Sequence, residues 1–228
     1  MIYDKPHISQ RRLRTPRAAA IAGILFAILQ ITASVIFLVS LPADSIYQTD
    51  WLEEQSRNIS FALGLMPFAG IAFLWFMGVI RDRLGHLEDQ FFSTLFFGSG
   101  LLYLAMTFAT AAIAGGLITV HAFDPVLFNN SDFYLFGRAM LYKFNSVFGI
   151  RMAGMFTIAL GTIWFRTQLM PRWMALFTFL SAGTLLIGIT FYPWITLLFP
   201  IWVLITSAYI LFLNYRFQQA YDGVTLSK

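Results

Sequence analysis

Residues 132–165 read DFYLFGRAMLYKFNSVFGIRMAGMFTIALGTIWF. About 20 predominantly apolar residues are enough to cross a bilayer as a helix, and this stretch meets that measure. Yet it carries Arg138, Lys143, Asn145 and Arg151 in its interior, while the other long apolar runs of the chain are free of internal charge. A cation inside a membrane helix is costly and faces a bundle interior, a wet cavity or a partner. The stretch therefore decides the fold class and also marks where the chemistry is to be sought.

Working outward, the composition agrees. Of the 228 residues, 58% are hydrophobic and 11% charged, whereas about a quarter are charged in soluble domains. Apolar runs at 18–40, 59–80, 91–120, 137–165, 173–192 and 195–213 follow one another with short connections. They predict an all-α, polytopic integral membrane bundle of six transmembrane helices in one domain. A basic N-terminal tail covers 1–17 and a short polar tail 214–228. Arg11 and Arg12 precede the first run as in a secretory signal, but an h-region has only about 7–15 residues, so this run is expected to stay as a membrane helix. Thr15 and Pro16 suit an N-cap and a first helical position. Residues 41–58 read as an acidic loop with Tyr47 and Trp51 at the interface and room for a short helix lying on the membrane.

Orientation follows from the basic residues. Lys5, Arg11, Arg12, Arg14 and Arg17, the pair Arg81 and Arg83, the pair Arg166 and Arg172, and Arg216 with Lys228 all fall on one side of a six-span chain. Only Arg57, Arg138, Lys143 and Arg151 remain for the other. Both termini are expected to be cytoplasmic. The net charge of +4 is thereby a topology signal, and no nucleic-acid partner is expected.

Several chemistries are excluded. With no cysteine there is no disulfide, thiolate nucleophile or Cys-ligated metal. His7, His86 and His121 lie in three separate segments outside the apolar runs, and carboxylates are missing from the run interiors, so no metal and no cofactor is expected. Phe97–Gly98–Ser99–Gly100 is close to the serine motif of rhomboid proteases, but Phe97 replaces the first glycine and no histidine follows His121 to activate the serine. No catalytic residues are assigned, and the chain is not expected to be an enzyme. An intramembrane carboxylate, usual in proton-coupled transport, is absent as well.

The turn at 164–173, WFRTQLMPRW, has a clear physical logic. Pro171 restarts a helix, while Arg166 and Arg172 hold the turn on the basic side. It resembles a broad group of uncharacterised bacterial membrane proteins of the domain-of-unknown-function type, with about six helices. The resemblance covers the last third of the chain or all six spans. It implies a multi-pass protein of the bacterial inner membrane, and no activity or residue role.

The candidate site is a pocket open to the extracytoplasmic side. Arg151 floors it, Asn145 lies above, and Arg138 and Lys143 form its rim. Pro67 and Pro200, expected in the outer halves of their helices, are candidate kinks that free backbone carbonyls there. The occupant is an anionic lipid headgroup or small anion. The alternatives for Arg151 are snorkelling to a lipid phosphate, or a clamp to Glu53 or Glu54. A different reading makes the chain an accessory or scaffold subunit beside another membrane protein or a second copy of itself. Helix association in lipid relies on small residues. Gly149, Ala153, Thr157 and Gly161 on the fourth run, with Gly98, Ala105, Ala109, Ala112 and Gly116 on the third, predict a central contact between these two helices.

Overall fold

The computed structural model describes residues 15–40, 50–84, 90–124, 128, 132–168, 170–188 and 193–225, which form six helices. These are α1 Thr15–Ser40, α2 Asp50–Leu84, α3 Gln90–Phe123, α4 Phe133–Thr167, α5 Arg172–Ile187 and α6 Leu198–Thr225. All but α5 are long and apolar enough to cross a membrane. A polytopic membrane helix bundle results.

The start of α2 and the end of α6 differ from expectation. α2 starts at Asp50, so half of the expected acidic loop is helix. Asp50, Glu53 and Glu54 lie in its first turns, where carboxylates suit the positive end of the helix dipole. Just beyond them the side-chain carbonyl oxygen of Gln55 accepts from Ser40 Oγ at 3.2 Å and from Asn58 Nδ2 at 2.8 Å, tying α2 to the end of α1. α5 has 16 residues, or about 24 Å, and residues 189–192 of the expected 173–192 span lie outside the described residues. At the end of α5 the Gly188 N–H bonds to Thr184 O. α6 runs on past residue 213 to Thr225, so most of the expected polar tail is helical. The rest of the expected tails, residues 1–14 and 226–228, lie outside the described residues.

Each helix packs against its neighbours in chain order, and α6 returns to α1, closing a ring. Alternate helices fill the centre. Phe73 of α2, Phe156 of α4 and Phe199 of α6 form a triangle with ring centroids 5.4, 5.8 and 5.6 Å apart. Phe26 of α1 joins Phe73 at 4.7 Å, and Tyr103 of α3 joins Phe199 at 4.7 Å. Aromatic pairs at such spacings with tilted or edge contacts add to simple packing. α5 stays outside this cluster but is pinned to it, because Trp202 Nε1 donates to Thr178 Oγ1 at 3.1 Å.

The outer surface is apolar. Ile187 is 81% exposed, Leu176 71%, Trp75 66% and Phe68 63%. Such a surface suits lipid, which leaves dispersion and close packing to hold the helices together.

Candidate functional site on the fourth helix

α4 changes character midway. Its ends, Phe133–Tyr142 and Ile150–Thr167, are α-helical, and Lys143–Gly149 between them is π-helical. π segments are rare and often mark functional positions. The segment reads KFNSVFG, poor in strong helix formers. Its far end is closed by the Ile150 N–H bonding to Asn145 O, five residues back. Gly149 is the residue that permits this: a Cβ there would lie 3.0 Å from the carbonyl oxygen of Phe144. Gly149 thus has an intrahelical duty beside the interhelical contact expected of it. The only signal available was a glycine five residues after Phe144 in a weak helical stretch.

Arg151 is the second residue of the lower α-helical half, and its side chain is exposed. Nη1 donates to Val147 O at 2.9 Å, one turn back and inside the π segment. Arg151 thus lies on the outer surface of the bundle, and the residues facing inward at this depth are Ile150 and Ala153. An interior pocket floored by Arg151 is not how the chain arranges these groups. The reason is angular: Ala153 and Phe156 fill the inward face, leaving Arg151 opposite. Asn145 and Lys143 are also exposed, on the π segment. Arg138 is half-buried and donates from Nη1 to Tyr134 OH at 3.3 Å. The side chains of Glu53 and Glu54, the clamp alternative, lie outside the described residues.

Of the two prolines, Pro67 lies inside its helix as expected and Pro200 near the start of its own. Pro67 is exposed and α2 continues through it. Pro200 is in the first turn of α6, just after the 3-10 turn Pro193–Leu197. A helix's first turn has no intrahelical partner for that N–H, so little is lost there.

The packing residues divide. Ala153 is fully buried. Gly149 meets Met106 of α3, whose Cβ would be 3.6 Å from an added methyl, whereas a methyl on Gly161 would lie 2.9 Å from Thr178 Cγ2 on α5. Residues four apart advance by about 40° per step at 3.6 residues per turn, so a stripe that starts against α3 ends against α5. On α3 the expected stripe points away from α4. A Cβ at Gly98 or Gly116 would meet nothing within 4 Å, and Ala105 and Ala112 are exposed. Large α3 residues make the contact instead, with Leu117 seated against Gly137 and Met106 against Gly149. The close approach expected of Gly98 occurs at Gly100, which faces Met77 and Phe156.

Among the described residues no group of three or more His, Cys, Asp or Glu side chains could hold a metal ion. Comparison with family models, curated proteins and solved structures gives no match to the chain.

Proposed function

We propose that the chain is a non-catalytic protein of the bacterial inner membrane that binds an anionic group on the surface of α4. Arg151 is the anchor, and Lys143 and Asn145 stand on the approach. The observation that supports this is the direction of the Arg151 side chain. Its bond to Val147 O carries the guanidinium one turn toward the start of α4. From Val147 to Thr167 the helix rises about 30 Å at 1.5 Å per residue, which is the thickness of the hydrocarbon core. With the end of α4 at one boundary, the guanidinium reaches the other. With both termini cytoplasmic, as the basic residues suggest, that boundary is the outer one.

A guanidinium at this level has further N–H donors aimed at the headgroup region, in the fork that matches phosphate or carboxylate. Binding is favoured over passage, since the Phe73–Phe156–Phe199 triangle occupies the centre of the ring. The test is thermal unfolding of purified protein in neutral detergent with added phosphatidylglycerol or phosphatidylcholine. Wild type is expected to gain several degrees from the anionic lipid alone, and Arg151→Gln to gain none. Equal gains in both proteins would remove Arg151 as the anchor.

One observation favours a second reading, an accessory or scaffold subunit. The small residues Gly98, Ala105, Ala112 and Gly116 face outward on α3, where they would let another helix approach closely. On that reading Gly98→Ile releases a co-purifying membrane protein, or a second copy of the chain, while Arg151→Gln leaves it bound.

A further inference from the structure

Below Arg151, the outward side of α4 is Met155, Ile158 and Thr162, which lie within about 40° of Arg151 at 3.6 residues per turn. Arg151 is exposed, but these three are only half-buried. The cause is on either side of them. Gly149 admits Met106 from α3, while Gly154 admits Leu186 and Gly161 admits Phe179 from α5. Both neighbours are drawn in at these glycines, and each carries exposed apolar side chains: Leu102 of α3 is 50% exposed and Phe179 of α5 37%. We infer that α4 is here the floor of a shallow apolar channel between α3 and α5, the seat of one acyl chain of an anionic phospholipid. Its one polar floor residue below Arg151 is masked, because Thr162 Oγ1 donates to Ile158 O at 2.9 Å. A guanidinium closes one end.

The phosphate of that lipid is held by Arg151. The inference rests on Arg151 as an anion anchor and adds the class of ligand. Charge and length both select it. The head of the channel is cationic and its floor wholly apolar, which suits an amphiphile and gives a free small anion nothing below the guanidinium. From Arg151 to Thr162 the floor runs about 16 Å, close to the depth of one leaflet, about half of the 30 Å hydrocarbon core.

Phosphatidylglycerol carrying a photoactivatable diazirine at the middle of one chain is the direct probe. Irradiated with wild-type protein, it is expected to label the peptide containing Met155, Ile158 and Thr162 at least five-fold over any other membrane peptide. Even labelling around the ring, as for general boundary lipid, overturns the inference. A second arm fills the channel with Thr162→Trp or, separately, Ile158→Trp, and measures retained phosphatidylglycerol beside binding of water-soluble glycerol phosphate. Lipid retention should fall at least five-fold with glycerol phosphate binding unchanged. Full lipid retention in both variants overturns the channel and leaves the Arg151 anchor standing. Retention of lipid and glycerol phosphate alike by Arg151→Gln overturns the anchor itself.

Discussion

The two halves of α4 are built on opposite principles. The lower half, Ile150–Thr167, is a regular α-helix with ten buried residues, and its inward face meets the aromatic triangle. The upper part, Phe133–Gly149, gives up regular geometry for a π segment and exposes Tyr142, Lys143, Asn145 and Phe148. Below, side chains from several helices specify one another's positions. Above, Tyr134 and Leu141 pack in a smaller cluster with Ala114, Leu117 and Phe128, and the π segment adds a local backbone solution, Gly149 under the Phe144 carbonyl. Regular packing suits a fixed scaffold, and irregular backbone with exposed polar groups suits recognition.

The comparison breaks most readily in the lower half. Phe156→Ala removes a ring that touches Phe73, Phe96, Phe199 and Trp202. It should destabilise by about 3 kcal/mol, the low end for buried Phe truncation because lipid removes the water-transfer part. Unfolding in mixed micelles measures it, and a change below about 1 kcal/mol would mean that the triangle is not the centre of stability.

Gly149→Ala tests the upper half. Its methyl meets a backbone oxygen at 3.0 Å, which a side-chain rotation cannot relieve. The expected effect is about 1–3 kcal/mol of overpacking, or conversion of the π segment to α-helix with reorientation of Lys143 and Asn145. Weaker anion binding should accompany either outcome, whereas an unchanged variant would show that the π geometry needs no glycine. Trp202→Phe removes the indole bond to Thr178 and should cost about 1 kcal/mol. It should also loosen α5 selectively, seen as faster hydrogen exchange in Arg172–Ile187 alone.

The smallest change concerns the end of α4. Gln168 has φ 53°, the left-handed region, and its Nε2 donates to Phe165 O at 2.7 Å. Glycine would relieve about 1 kcal/mol of backbone cost and lose a hydrogen bond of similar size. Gln168→Gly is therefore expected to leave stability within about 0.5 kcal/mol, and a larger loss would show that the side-chain bond to Phe165 outweighs the backbone cost.

How much of this was legible beforehand varies with the range of the interaction. Helix α1 and the core of α3 stood out because apolar length is a local property. The early start of α2 did not, since Asp50, Glu53 and Glu54 read as loop when counted for hydropathy and as helix start when counted for the dipole. Arg151 was legible as an exception but not in its placement. Hydropathy says that a charge is present, and only the angular positions of Ala153, Phe156 and Gly161 relative to α3 and α5 say which way it points. The outward direction of Gly98 was hidden for the same reason.

The sequence by itself determined that the chain is a helical membrane protein, because bilayer thickness and backbone hydrogen bonding leave an apolar run no other form. It also singled out α4, because charges there are few and expensive. Only the tertiary structure decided that the six helices close a ring around Phe73, Phe156 and Phe199. That same packing put Arg151 on the outside of the ring. Which face of a helix turns inward is set by the fit of side chains from several helices at once, and no single run of residues contains that information.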